Sequence, residues 1–294
     1  MKVVVTGGSG FIGQYVVSEL AKSGLEVVVF DKNYIECQGI NFICGDIFDF
    51  ESLIAAARGA EVLIHLVGLP DAREAQRNPS ESFQLNLASL QNSLEACRIC
   101  QIPRLIYPST AAVYGQTQTV PISEEDPPRP TGIYAYHKWL GEELVRAYHA
   151  VYGINYTILR LFNVYGRGNK GILQLCIDAA KKGEPITVFG ADQKRDFIYA
   201  GDVAKAFKAA ILSDALRNKT INIGSGKGRT IRHVVEMMKE LLPNLKVVYK
   251  EIPEMTPYDS VADITLARNL LDFEPHTEDE FFKKVVKEEM ICHA

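Results

Sequence analysis

The stretch from Met1 to Asp31 limits what this chain can fold into more than any other part of it. Lys2–Thr6 (KVVVT) is a β-branched run, long enough for a buried strand and too short for a helix. Gly7-Gly8-Ser9-Gly10-Phe11-Ile12-Gly13 follows, and Tyr15, Val16, Val17, Leu20 and Ala21 then recur at helical spacing. Gly24 closes that helix, as a residue tolerant of positive φ often does. Glu26–Phe30 (EVVVF) reads as a second strand with Asp31 at its C-terminal end. Glycines placed between strand and helix allow a tight turn, let backbone N–H groups approach a pyrophosphate, and let the helix pack closely on the strand. The helix N-terminus adds partial positive charge. Glycines serving packing alone are the plain alternative; the strand before, the helix after and the strand-end acid favour a dinucleotide site at Gly7, Gly10, Phe11, Ile12 and Gly13. The spacing is Gly-x-x-Gly-x-x-Gly rather than Gly-x-Gly-x-x-Gly.

Asp31 discriminates between cofactors. A carboxylate here accepts hydrogen bonds from the adenosine ribose hydroxyls and repels a 2′-phosphate, so the sequence predicts NAD. Lys32, its basic neighbour, offsets part of that repulsion. Further on, Asn41–Cys44 is a short strand candidate, Glu51–Ala57 a helix and Glu61–Val67 (EVLIHLV) another buried strand. Strands alternating with helices predict an α/β fold, a doubly wound parallel sheet of Rossmann type. Asp46, in the turn Gly45-Asp46-Ile47, is read equally as an adenine contact and as a turn acid capping Phe48 onward. His65, inside an apolar run, reads as a core residue.

Two long helices are predicted, Ser80–Cys100 and Ile133–Gly153, with strands at Pro103–Tyr107 and Asn155–Leu161. Beyond about residue 165 the alternation weakens. The expectation is a cofactor domain over 1–165 and a smaller C-terminal α/β substrate-binding part over 166–294, some of whose segments return to the sheet. With 294 residues, 47% of them hydrophobic, the chain is large enough for a full core, and its net charge of −4 argues against a nucleic-acid or membrane-surface partner. No apolar run approaches the roughly 18 residues of a spanning helix. A strand beginning at Lys2 leaves no room for a signal peptide before it, so a cytoplasmic protein is expected. Cys97 and Cys100 form a C-x-x-C late in a helical pattern with no second pair, and read as free buried thiols; no metal site is expected.

Tyr134-Ala-Tyr-His-Lys138 sets a tyrosine and a lysine four residues apart on one helical face. A phenol with pKa near about 10 is a poor base at neutral pH. A neighbouring ammonium, with the positive charge of a nicotinamide, is expected to lower it. Tyr134 then takes a proton from a hydroxyl while hydride leaves the same carbon, and Thr110, beyond the preceding strand, hydrogen-bonds that oxygen. A solvated surface pair is the plain alternative for Tyr134 and Lys138 taken alone. Tyr136 and His137 are in the wrong register for this role.

The pieces TGGSGFIG (6–13), Asp31, GDI (45–47), HLVGLP (65–70), PSTAAVYG (108–115), YAYHK (134–138), LRLFNVYGRG (159–168), RDFIYAGDVAKA (195–206), INIGSGKG (221–228) and VADITLARNLLDFEP (261–275) run along nearly the whole chain. Together they resemble the extended short-chain dehydrogenase/reductases, in particular the nucleotide-sugar epimerase/dehydratase group typified by UDP-glucose 4-epimerase. The resemblance implies a catalytic Thr110, Tyr134 and Lys138. It implies cofactor contacts from Lys32, Asp46, Ile47, Leu66, Val67, Gly68, Ser109, Tyr134, Lys138 and Phe162, besides the glycine turn and Asp31. It implies substrate contacts from Thr110, from Asn163 to the diphosphate and from Arg195 to the nucleotide. A guanidinium suits bidentate phosphate recognition, although Arg195 read by itself also fits an ion pair with Asp196 or Asp202.

The departures from the family pattern carry information too. Relatives that dehydrate or decarboxylate bear an acid just after the catalytic Ser/Thr; Ala111 and Ala112 stand there, against both chemistries. Tyr258 occupies the place of an arginine that in many relatives helps hold the diphosphate, with Arg229 or Lys227 as possible substitutes. Pro70, followed by Asp71, replaces a lysine that some UDP-glucose 4-epimerases show. The implied activity is an NAD-dependent nucleotide-sugar 4-epimerase acting through a 4-keto intermediate, on a UDP-sugar. Reduction of a 4-keto nucleotide sugar by NAD(P)H and a non-catalytic NAD sensor are the alternatives. Relatives pair the two long helices across a two-fold axis, implying a homodimer; read from the sequence alone, both helices simply cover the sheet.

Overall fold

The computed structural model describes residues 1–117, 119–251 and 259–292. The chain opens with β1 (Lys2–Thr6), α1 (Phe11–Ala21), β2 (Glu26–Asp31), β3 (Ile40–Cys44), α2 (Phe50–Ala57) and β4 (Val62–His65). Next come α3 (Ala72–Arg77), α4 (Pro79–Phe83), a π-helical turn (Gln84–Ala88), α5 (Ser89–Ile99), β5 (Arg104–Thr110), α6 (Ile133–Tyr152) and β6 (Asn155–Leu161). The remainder is β7 (Asn163–Tyr165), α7 (Ile172–Lys182), β8 (Pro185–Phe189), β9 (Lys194–Tyr199), α8 (Ala200–Leu212), β10 (Lys219–Ile223), β11 (Gly228–Thr230), α9 (Ile231–Leu241), β12 (Lys246–Lys250), α10 (Thr265–Leu271) and α11 (Asp279–Cys292).

Seven strands form one sheet in the order β10-β6-β5-β4-β1-β2-β3, every pair parallel. A doubly wound α/β sheet is thus the fold. Because the side-chain period of a strand is two, alternate residues enter opposite layers. Val3 and Val5 of β1 join Val27, Val29, Ile64 and Phe207, whereas Val4 joins Val28, Leu63, Leu90, Leu94 and Leu105. Both faces are buried, which is why the strands read as unbroken apolar runs. Each fully buried Val or Leu contributes about 1.5–3 kcal/mol of transfer free energy. β10 comes from well beyond residue 165 and still forms the sheet edge against β6.

A three-stranded sheet (β11-β9-β7) and a parallel pair (β12 with β8) complete the structure. A third core of Leu173, Ile177, Val188, Phe197, Val234, Met238 and Phe282 lies under them. The predicted helix over Ser80–Cys100 is interrupted. The chain passes through a π turn at Gln84–Ala88, which the regular spacing of Phe83, Leu87, Leu90 and Leu94 does not reveal. Helix α6 starts at Ile133, and Gly153, at φ +73°, caps its end.

Candidate active site

In a parallel sheet all strands end on one edge, and the crevice there, where the order reverses between β1 and β4, is where ligands sit. The glycine turn follows β1 at that edge. Gly7 has φ +76°, and a Cβ there would stand 2.6 Å from the Val67 nitrogen and 2.7 Å from the Leu66 carbonyl carbon. A Cβ on Gly13 would lie 2.4 Å from the Gly7 oxygen and 2.6 Å from the Gly8 oxygen. The turn is therefore packed backbone on backbone against the Leu66–Val67 segment, and Leu66 N–H donates to Thr6 O at 2.8 Å. Gly10, the N-cap of α1, provides no side-chain acceptor for the first turn. The first turn of α1, at Phe11 and Ile12, therefore keeps its helix-end partial positive charge uncompensated by a side-chain cap.

Asp31 ends β2. Its carboxylate accepts from Ser9 N at 3.0 Å and Asn33 N at 2.9 Å, which ties the acid to the glycine turn. Lys32 reaches across to Asp46 at 2.9 Å, and Phe48 N donates to Asp46 at 3.0 Å. The Phe48 N–H, followed by Lys32, holds the Asp46 carboxyl below its ordinary range. The turn role read for Asp46 is present in the structure. Ile47 is buried, and its carbonyl accepts from Asn92 at 3.0 Å. Gly68 lies against Asn86, whose side chain accepts from Leu69 N at 3.1 Å and donates to Leu69 O at 3.3 Å. Asn86 sits in the π turn, so the extra residue there aims an amide at the loop after β4.

Thr110 is the last residue of β5, and its hydroxyl accepts from Ala112 N at 3.2 Å. Tyr134 lies in the first turn of α6 and is hydrogen-bonded to Thr110. Burial pushes the Tyr134 phenol up to about 12, with the Thr110 hydrogen bond opposing. Lys138, one turn along, is 6% exposed. Burial pulls its ammonium down to about 7, Glu142 opposing. The Lys138 nitrogen lies 4.3 Å from the centre of the Tyr107 ring.

Beneath Thr110, Ser109 donates to Glu142 at 2.5 Å. Glu142 is fully buried and accepts from Arg160 Nε at 2.9 Å and Nη2 at 2.7 Å, and from Arg146 at 3.0 Å. Burial works against its ionisation, but Arg160, Ser109 and Arg146 outweigh it and hold the carboxyl below the usual range. Arg160 lies over the Tyr114 ring at 4.7 Å, and Tyr114 donates to Asn222 at 2.7 Å. This buried ladder joins β5, α6, β6 and β10 directly under the Thr110–Tyr134 pair. Sequence reasoning missed it, though an arginine inside the apolar run of β6 signals a buried carboxylate somewhere.

On the opposite wall, Phe162 is buried with its N–H on Ile223 O at 3.0 Å. Asn163 is exposed and donates to Asp196 O at 3.4 Å. Arg195 Nη1 donates to Lys194 O at 2.9 Å. Asp196, fully buried, accepts from Ser225 N and Oγ, both at 2.6 Å, Gly226 N at 2.9 Å and Ala262 N at 3.1 Å. Asp202 pairs with Lys205 and His276. Arg229 and Lys227 are likewise engaged, by Thr277 O and Asp279. Tyr258 lies outside the described residues. Cys37, Cys44, Cys97, Cys100 and Cys176 are free thiols, and no cluster suited to a metal occurs among the described residues.

A nucleotide cradle at the sheet edge, with a phenol and an amine on the helix beside it, defines a dinucleotide-dependent enzyme of the short-chain dehydrogenase/reductase class. The chain belongs to the NAD dependent epimerase/dehydratase family, whose model matches residues 3–224. NAD is its cofactor, and the cap-free N-terminus of α1 and the strand-end Asp31 fit that molecule. The UDP-glucose 4-epimerase of Corynebacterium glutamicum is 31% identical over 265 residues, spanning 82% of this chain and 80% of that protein. The crystal structure of UDP-glucose 4-epimerase from Thermotoga maritima with UDP-glucose matches with a TM-score of 0.92 at 28% identity, covering 100% of this chain and 99% of that one. UDP-glucuronic acid 4-epimerase from Bacillus cereus, with UDP-glucuronic acid and NAD, matches with a TM-score of 0.91 at 26% identity over 100% of both chains. No helix among the described residues is long and apolar enough to cross a membrane.

Proposed function

We propose that this protein is an NAD-dependent 4-epimerase of a UDP-linked sugar. The observation that carries the reading is the hydroxyl pair Thr110–Tyr134 at the end of β5, one helical turn from buried Lys138, beside a dinucleotide cradle. NAD, when bound, supplies an acceptor and donor of hydride. Tyr134 takes the proton of the C4 hydroxyl, and Thr110 holds a hydrogen bond to the same oxygen. Lys138, in its ammonium form, favours the phenolate form of Tyr134. The 4-keto sugar turns over in the cleft, is reduced on its other face, and recovers its proton from Tyr134. The Ser109–Glu142–Arg160 ladder keeps the end of β5 and α6 in register. Asn163 and Arg195 are the proposed contacts to the diphosphate and the nucleotide. We take 1–165 as the cofactor domain and 166–294 as the substrate part. The free thiols support a reducing, cytoplasmic setting.

Names of relatives and structural neighbours support UDP-glucose and UDP-glucuronic acid as the first substrates to try. The test is incubation of the purified holoenzyme with each, followed by separation of C4 epimers and assay of cofactor redox state. Interconversion without net reduction of NAD is expected. Absence of any C4 epimer, or stoichiometric consumption of NADH with a keto sugar, overturns the reading, the second result in favour of a reductase.

We also propose a homodimer built on α4, α5 and α6. The exposed Phe83 (48%), Tyr136 (46%) and Leu140 (43%) on these helices support it. Sedimentation of a Leu140→Glu variant as monomer beside a dimeric wild type is the expected result; a monomeric wild type at micromolar concentration overturns it.

A further inference from the structure

We propose, on the reading that Lys138 is the amine of the epimerase reaction, that Tyr107 is its positioning residue. The face of the Tyr107 ring seats the Lys138 ammonium and turns it toward the cleft. The nitrogen lies 4.3 Å from the ring centre, within the range of a cation–π contact. Such a contact strengthens when both partners leave water, and Tyr107 is 0% and Lys138 6% exposed.

The ring is held at two places. At one, His65 lies near-parallel to it, 6.3 Å between centres and 25° between planes. His65 is itself fixed by Ser93 Oγ at 2.9 Å, Thr6 Oγ1 at 3.3 Å and Ser89 Oγ at 3.4 Å. At the other, Gly141 of α6 closes over the phenol end, where a Cβ would stand 2.3 Å from the Tyr107 oxygen. The Tyr107 hydroxyl is buried without a hydrogen-bond partner among the described residues, so the ring, and not the hydroxyl, is what its surroundings use.

The groups facing Lys138 divide unequally. From its own helix come the Tyr134 phenol and the Glu142 carboxylate, and the latter is already bound by Arg160, Arg146 and Ser109. β4 brings His65, which burial, and secondarily Lys138 itself, keeps neutral down to about pH 3. β5 brings Tyr107, Ser109 and Thr110; β6 brings Arg160, spent on Glu142. Lys138 forms no ion pair among the described residues, which leaves the Tyr107 face as its seat.

The test uses the NAD-loaded enzyme with residue 107 replaced by phenylalanine and then by mono-, di- and trifluorinated phenylalanine. Ring shape is nearly kept while the negative face is progressively weakened, and the Tyr107→Phe enzyme is the reference. The face favours the charged amine, so weakening it lowers the pH at which Lys138 loses its proton. The alkaline limb of kcat is expected to move stepwise to lower pH, by about one unit in total, the size of a desolvated cation–π contact. An alkaline limb that stays in place across the series, with NAD content and melting temperature unchanged, overturns the proposal. A Lys138→Met enzyme of undiminished activity overturns instead the reading of Lys138 beneath it, so the two failures are distinct.

Discussion

Replacing Lys138 by Met is expected to stabilise the NAD-free protein while abolishing its activity. In the folded chain, burial lowers the Lys138 ammonium from 10.5 to about 7, Glu142 opposing. Between those values the unfolded chain binds more protons than the folded one, so this residue's contribution makes stability rise with pH across that window. Below it the folded protein carries the full cost of a buried ammonium; above it the cost is gone. At about 1.4 kcal/mol per pH unit, the interval from 10.5 to about 7 corresponds to at most about 5 kcal/mol. Methionine fills similar volume, and its sulfur makes a favourable contact with the Tyr107 ring. At about 2 °C or more per kcal/mol, most of that gain corresponds to roughly 5–10 °C. Calorimetry of NAD-stripped wild type and Lys138→Met at about pH 6, 8 and 10 reads it directly. The expected result is a variant that melts higher at the lowest pH, with a gap that closes as pH rises. A variant that melts lower at every pH, or a gap independent of pH, refutes the reasoning.

Glu142→Gln removes the carboxylate from Arg160 and leaves a buried guanidinium uncompensated; chemical denaturation is expected to show a loss of about 3–5 kcal/mol. Gly13→Ala drives a Cβ into the Gly7 and Gly8 carbonyls, and calorimetric titration is expected to show NAD affinity down by about 10-fold or more, from overpacking of about 1–3 kcal/mol. Asp31→Asn removes the negative charge that repels a 2′-phosphate, so the ratio of NAD to NADP affinity is expected to fall by about 10-fold or more, the scale of one charge-assisted contact.

The cofactor end of the molecule was legible because it is local. Strand, glycine turn, helix and strand-end acid follow one another over Lys2–Asp31, and each glycine has a steric reason visible in sequence order. The Tyr134–Lys138 pair was legible for the same reason, being one helical turn apart. What lay hidden depends on chain segments distant in sequence. Glu142 looks like any polar residue of an amphipathic helix until β6 brings Arg160 against it. Asp196 looks like a surface acid beside an arginine, yet it gathers N–H groups from the Ser225–Gly226 loop and from Ala262. The π turn at Gln84–Ala88 adds its extra residue without disturbing the apolar spacing. A charge on the next turn from Tyr134 is visible in the sequence, whereas the desolvation of Tyr134 and Lys138 is not.

The central claim is that the Tyr134 hydroxyl moves the proton of the reacting sugar carbon. Tyr134→Phe removes one oxygen and leaves the rest of the side chain in place. Its turnover of the UDP-sugar, measured with saturating NAD, is expected to fall by about 10²–10⁴-fold, while NAD and UDP-sugar binding stay near wild type. Turnover within a few-fold of the wild type contradicts the account.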